Sequence, residues 1–291
     1  MLEGIFPAVI TPLTEDLELH IPSFEKLIER LYRSGVHGLY VGGQTGEGFQ
    51  LPRSVRQKTV EVAVASKPET GAVIAHVGAA DIQDALQLVK HACRAGVDAV
   101  SSLPPGPGFS FAEIRAYYQA LAAASDVPVL LYYYGDFSAA ITSLEQILEL
   151  CSIPNVVGLK FTDFDLYRLS WVHRAGYTVF NGRDEVLVAG LLMGAQGGIG
   201  SFYNLVPGKF VALYEHARAG RWQLARQLQD EINDLVRLVL RFPLIAAIKS
   251  LLSWSGIDCG PPAPPRRRLT PNEESELRQL VDGRHTLNFP T

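Results

Sequence analysis

Residues 72–103 read AVIAHVGAADIQDALQLVKHACRAGVDAVSSL, and three segments of that stretch decide the fold. AVIAHVG, from Ala72, is a short apolar run with little alternation, the pattern of a strand covered on both faces. IQDALQLVKHACRAG follows, with apolar residues at i, i+3, i+4 and i+7, the spacing of an amphipathic helix. Gly96 stands just past that helix, where a left-handed cap is easiest for a residue without Cβ, and DAVSSL, from Asp98, is a second strand. Two neighbouring strands joined by a helical crossover run parallel.

The same unit repeats. Strand-like runs begin at Gly4 (GIFPAVI), His37 (HGLYVGG), Ala72, Asp98, Val127 (VPVLLYY), Asn155 (NVVGLKF), Thr178 (TVFNG) and Gln196 (QGGIGS), with amphipathic segments such as FEKLIERLYRSG and DLYRLSWVHRAG between them. SGVHGLYV and MGAQGGIG repeat the helix, glycine, strand junction of AGVDAVSS. Strict β-then-α order through every unit predicts an α/β fold, a (β/α)8 TIM barrel over residues 1–203, with an open doubly wound sheet as the competing arrangement. Residues 204–291 are expected to form an additional C-terminal helical extension packed on the barrel, because RWQLARQLQDEINDLVRLVLRF and PLIAAIKSLLSWSG keep helical spacing. GPPAPPRRRL, from Gly260, cannot continue a helix, since proline has no N–H to donate; it reads as a surface connector before a last helix at residues 272–281. Its Arg266, Arg267 and Arg268 are expected to be solvated or tied to carboxylates.

Composition narrows the function classes. With 47% apolar and 19% charged residues, the 291-residue chain has material for a large core and no mark of disorder. Lys and Arg total 26 against 30 Asp and Glu, a net charge of -4, which argues against a nucleic-acid partner. Cys93, Cys151 and Cys259 match no metal-ligand spacing and read as structural thiols of a reducing compartment. MLEGIFPAVITPL has no basic leader, and no apolar run approaches the roughly 20 residues of a membrane span, so a cytoplasmic protein with a small-molecule partner and no membrane contact is expected.

In a β/α barrel the reactive groups sit at the C-terminal ends of the strands. Lys160 closes the run NVVGLKF, whereas Lys26, Lys58, Lys67, Lys90, Lys209 and Lys249 fall in helical or loop segments. A desolvated ammonium gives up its proton more easily and frees an amine to attack a carbonyl; an internal ion pair is the other reading. Tyr132 ends VPVLLYY, where a phenol can carry protons to and from that carbonyl. Tyr133 and Tyr134 read as packing residues, because alternation keeps three consecutive side chains from facing one way. In VGGQTGEGF, the amides of Gly42, Gly43 and Gly46 offer a nest for a carboxylate, with the Thr45 hydroxyl and Gln44 beside them; a plain turn is equally compatible. Asp184 and Glu185 either accept hydrogen bonds from substrate hydroxyls or favour the start of the next helix, and Thr162 and Ser201 are similarly placed after their strands. His76 reads as a core histidine. There is no HExxH, no carboxylate cluster at metal spacing and no Walker loop, so no metal or other cofactor is expected.

GIFPAVITPL, GGQTGE, the strand ending at Tyr132, GLKFTD, FNGRDE and GAQGGIGSFYN, in that order, resemble the family of N-acetylneuraminate lyase and dihydrodipicolinate synthase over nearly the whole chain. Its members are class I aldolases that release or condense pyruvate. The resemblance implies that Lys160 is the Schiff-base lysine and Tyr132 the proton-transferring tyrosine. It implies that Thr45 and its loop, with Gln44, hold the pyruvate carboxylate, and that Thr162, Gly182, Asp184, Glu185 and Ser201 hold the polyhydroxy tail of a sugar acid. It also implies a homotetramer. The synthase branch has Glu directly after the lysine and Arg a few residues past the tyrosine; Phe161 and Phe137 stand there, so cleavage of a 2-oxo-3-deoxy sugar acid is the better match. Three departures stand out. Gln44 replaces a Ser or Thr of the family's proton relay, Gly106 occupies the place of a tyrosine lent by a neighbouring subunit, and Tyr133 and Gly135 replace Asn and Pro. A dehydratase or synthase reaction on a 2-oxo acid, or a catalytically silent barrel that binds a small acid, are the alternatives.

Overall fold

The computed structural model of the chain describes residues 2–135 and 137–282. Every strand-like run forms a strand: β1 (Gly4–Pro7), β2 (Gly38–Val41), β3 (Ala72–His76), β4 (Ala99–Ser102), β5 (Val129–Tyr134), β6 (Val156–Thr162), β7 (Thr178–Asn181) and β8 (Gly197–Gly200). Between them lie α1 (Ile21–Arg33), α2 (Arg53–Ser66), α3 (Ile82–Ala95), α4 (Phe111–Ala124), α5 (Leu144–Cys151), α6 (Leu166–Arg174) and α7 (Leu187–Leu192). After β8 come α8 (Pro207–Arg218), α9 (Trp222–Val239), α10 (Leu244–Trp254) and α11 (Pro271–Asp282). α3, α4, α5 and α6 start where a side chain satisfies an open N–H group. Asp81 accepts from Gln83 N at 2.6 Å ahead of α3, and Ser110 and Ser143 form capping boxes with Glu113 and Gln146. Gly35, Gly96 and Gly194 adopt positive φ at the helix-to-strand junctions, as the repeated motif predicts.

All neighbouring strands pair in parallel, in the order β1-β8-β7-β6-β5-β4-β3-β2. Ala8 bridges to Tyr40, and Val9 N donates to the Tyr40 carbonyl at 2.9 Å, which closes the ring between β1 and β2. The fold is therefore a (β/α)8 TIM barrel with additional C-terminal helices, and the open sheet is excluded. Alternate residues point inward, so Phe6, Tyr40, Ile74, Leu130, Phe180 and Ile199 fill the barrel while a second apolar cluster packs between strands and helices. Where strands crowd, only glycine fits. A Cβ at Gly197 would lie 1.9 Å from the Gly4 carbonyl oxygen, and one at Gly158 1.9 Å from that of Thr178.

Two strand ends differ from the sequence reading. β5 and β6 each run one residue past VPVLLYY and NVVGLKF, to Tyr134 and Thr162, because these two residues pair and the ladder keeps both strands extended. α8 packs against β1 and α7, so the eighth helix of the ring lies beyond residue 203, and α9 to α11 follow it. Arg267 and Arg268 pair with Glu273 and Glu15 as expected. Arg266 does not: it is half-buried and donates to Gln50 Oε1 at 2.6 Å. No helix among the described residues is long and apolar enough to cross a membrane.

Candidate active site

The register of β5 against β6 sets Tyr132 beside Lys160, and β7 adds Phe180 on the other flank. Lys160 is 5% exposed, and its Nζ lies 4.0 Å from the centre of the Tyr132 ring and 4.8 Å from that of Tyr40. The negative faces of the two rings hold the ammonium by cation–π attraction, without an ion-pair partner among the described residues. The ion-paired buried lysine of this chain is Lys249, not Lys160. Tyr40 donates to Ser101 Oγ at 3.1 Å and meets Tyr132 edge to face at 6.1 Å, so the rings around Nζ are fixed by packing. His76 lies against Tyr40, Tyr132 and Phe49, and its Nε2 accepts from Leu103 N at 3.2 Å. Burial, with the Arg56 and Lys160 cations nearby, holds its imidazole well below the ordinary range, so it is a neutral core histidine.

At the neighbouring strand ends, Thr45 Oγ1 and Ser201 Oγ lie 2.6 Å apart, joining the loop after β2 to the end of β8. Thr11 Oγ1 donates to the Gly46 carbonyl at 2.7 Å and fastens the same loop to the segment that follows β1. Gly182 lets Thr162 approach, since a Cβ there would lie 2.0 Å from Thr162 Oγ1. That hydroxyl is buried with no hydrogen-bond partner among the described residues, an unusual state for a buried polar atom and one that a ligand can relieve.

Asp184 and Glu185 open the 3-10 turn after β7, and the carbonyls of both accept from α9: Gln229 Nε2 reaches Asp184 O at 2.9 Å and Asn233 Nδ2 reaches Glu185 O at 3.1 Å. Asp184 Oδ2 accepts from Phe202 N at 2.8 Å. Burial, helped by the Glu185 charge, pushes the Asp184 carboxyl up to about 7 against the pull of that amide and of Lys160. A folded value raised above the unfolded one means that the stability Asp184 contributes is complete below its unfolded pKa and is lost as pH rises through about 7. Calorimetric melting at pH 5 and pH 8 should show Asp184→Asn losing less stability over that interval than the native chain, at about 2–4 °C per kcal/mol. Equal losses in both would contradict this account of the carboxyl.

These groups share one cavity of about 590 Å³ at the C-terminal mouth of the barrel. Its wall includes Lys160, Tyr132, Gln44, Thr45, Thr162, Gly182, Asp184, Glu185 and Ser201, while Gly42, Gly43 and Gly46 of the same loop do not line it. It also includes residues the sequence did not suggest. Tyr134 was expected to be packing, but strand alternation turns it to the same side as Tyr132, with ring centres 6.5 Å apart and nearly parallel planes. Tyr133 does pack outward, on Phe161 at 5.1 Å. Arg183 stacks over Tyr134 and Phe164, and Leu244, Ile245 and Ala246 of α10 together with Arg266 complete the outer wall.

A buried lysine over a tyrosine ring at the mouth of a TIM barrel is joined by a sequence match along the chain. The profile of the dihydrodipicolinate synthetase family matches residues 1–283. The chain belongs to the dihydrodipicolinate synthetase family. Within that family it is 35% identical over 283 residues to an N-acetylneuraminate lyase of Rhizobium meliloti, covering 96% of this chain and 94% of that one. Among solved structures it resembles a Clostridium difficile protein, CdNal, crystallised with mannosamine, at a TM-score of 0.92 and 27% identity, over 97% of this chain and 99% of that one. It also resembles a catalytic-lysine mutant of the Ruminococcus gnavus sialic acid aldolase, at a TM-score of 0.91 and 25% identity, over 96% of this chain and 94% of that one.

Proposed function

We propose that this member of the dihydrodipicolinate synthetase family is a carbon–carbon lyase that cleaves a 2-oxo-3-deoxy sugar acid, N-acetylneuraminate-like, and releases pyruvate. The observation that carries the reading is Lys160: a buried amine over two phenol rings, without an ion-pair partner among the described residues, in the cavity that holds the Thr45–Ser201 hydroxyl pair. The Lys160 amine adds to the C2 ketone, and loss of water leaves an iminium. The hydroxyl one carbon beyond C3 then gives up its proton, the bond between that carbon and C3 breaks, and its electrons return to the nitrogen as an enamine while an aldehyde departs. Protonation at C3 and attack of water release pyruvate and restore the amine. Tyr132 moves the protons, Thr45 and its loop hold the carboxylate with Gln44 beside them, and Thr162, Gly182, Asp184, Glu185 and Ser201 hold the hydroxylated tail.

Gln44 favours one second reading, a dehydration of a related 2-oxo acid through the same Schiff base, because an amide on the cavity wall cannot pass a proton as a hydroxyl does. Incubation with a panel of 2-oxo-3-deoxy sugar acids separates the two. The lyase should yield pyruvate and an aldehyde in equal amounts, whereas a single product with the carbon chain intact overturns cleavage.

A homotetramer in the cytoplasm belongs to the same proposal. Phe164, Tyr167 and Trp171 around α6 and Leu192 and Met193 beside α7 are exposed apolar residues suited to self-association, and the thiols of Cys93, Cys151 and Cys259 are free. The proposed state requires a mass of four chains by light scattering; the mass of a single chain contradicts it.

A further inference from the structure

Glu47 lies two residues beyond Thr45, at the end of GGQTGE, and Lys249 lies in α10. Their side chains are 0% and 2% exposed, and Lys249 Nζ comes within 2.7 Å of Glu47 Oε2. The other carboxylate oxygen, Oε1, accepts from Ala263 N at 2.7 Å, and Nζ donates to the Pro261 carbonyl at 2.7 Å. One buried carboxylate therefore joins the loop after β2, the helix α10 and the proline-rich connector. Glu47 holds φ at 59°, the left-handed region that a residue with a Cβ adopts only when its surroundings impose it.

Stability alone does not explain the pair. Taking two charges out of water costs about what their attraction returns, and an apolar pair of the same size does as well or better. What the pair adds is direction. Its loop end is Thr45, whose hydroxyl meets Ser201, and its helix end carries Leu244, Ile245 and Ala246 on the cavity wall.

We propose that the Glu47–Lys249 ion pair is a positioning device that sets the Thr45 hydroxyl at the carboxylate end of the cavity in register with the α10 wall. Neither residue touches substrate. Both act through the loop, so they tune how tightly a 2-oxo acid is held rather than whether Lys160 can react with it. The part of this inference that concerns substrate rests on the Schiff-base reading; the part that concerns the loop does not.

The full chain carries the test. Glu47→Gln alone strands a buried ammonium and is expected to weaken the fold, so the informative variant combines Glu47→Gln with Lys249→Met, which removes both charges and nearly keeps both shapes. That variant should melt near the native temperature, yet its amides at residues 42–50 should exchange about tenfold faster while those of β5 and β6 are unchanged. The pyruvate concentration that gives half-maximal borohydride-trapped adduct should rise about tenfold, with the maximal adduct unchanged, as expected for a lost positioning contact. Glu47→Asp, which keeps the charge but draws it back by one methylene, should move both readings the same way by less. Native loop exchange in the double variant overturns the proposal, and so does a native half-saturating concentration. If the native chain gives no adduct with pyruvate, the Schiff-base reading fails on its own, and loop exchange alone decides whether the pair positions Thr45.

Discussion

Lys160→Arg is expected to abolish turnover, lowering kcat by at least about 10⁴-fold while leaving the fold intact, because it removes the covalent route and not merely a contact. Arginine keeps a positive charge over the Tyr132 and Tyr40 rings, at the position where Nζ now lies 4.0 Å and 4.8 Å from their centres. It keeps most of the stem that packs in the barrel mouth. What it lacks is a nucleophilic amine, since a guanidinium is not deprotonated in proteins. Packing and charge are conserved and nucleophilicity alone is lost. Activity should vanish in an assay of pyruvate release, with a melting temperature close to native. Residual turnover within tenfold of native would show that the chemistry does not pass through Lys160.

Tyr132→Phe should cost about 10²- to 10⁴-fold in kcat, the range of a lost proton-transfer group. The substitution leaves the ring that Lys160 covers and the ring contacts with Tyr40, His76 and Tyr134, so the barrel mouth keeps its shape. Only the phenolic hydroxyl goes. Schiff-base formation with pyruvate should survive at a reduced rate, because water can carry the protons that the phenol would move. A borohydride-trapped adduct of full stoichiometry after long incubation, together with the loss in kcat, is the expected pair of results. Native kcat in Tyr132→Phe would remove the hydroxyl from the mechanism and turn attention to Tyr134, which shares the cavity wall.

The barrel was legible because its signals are local. Apolar runs covered on both faces, helical spacing between them and a glycine at several of the helix-to-strand turns are read within about 30 residues, and the closing bridge between Ala8 and Tyr40 follows from completing the ring. Lys160 was legible for the same reason, as a lysine near the end of a buried strand. Tyr134 escapes the sequence pattern because alternation tells which tyrosines share a face, not how far a strand runs; one further ladder pair, with Thr162, carries β5 to Tyr134 and brings it to the cavity. The pairing i, i+2 with Tyr132 was the available signal. Arg266 escapes the sequence pattern because a run of arginines looks uniformly solvated, yet the connector turns one of the three inward to Gln50 while its neighbours meet the carboxylates of Glu273 and Glu15.

The outer wall and the Glu47–Lys249 pair lay beyond sequence reasoning. Periodicity places Lys249 on a helix but does not say that the helix folds back over the loop after β2. Contacts between segments so distant in the chain have no local motif. The raised carboxyl of Asp184 is of the same kind, since its burial depends on Phe202, Tyr203 and α9 converging on one turn.

Borohydride reduction of the native chain in the presence of pyruvate, followed by peptide mass analysis, tests the central claim most directly. One reduced pyruvyl group per chain, on the peptide that contains Lys160, is the predicted result. An unmodified Lys160 peptide, or an adduct confined to another lysine such as Lys249, would contradict it.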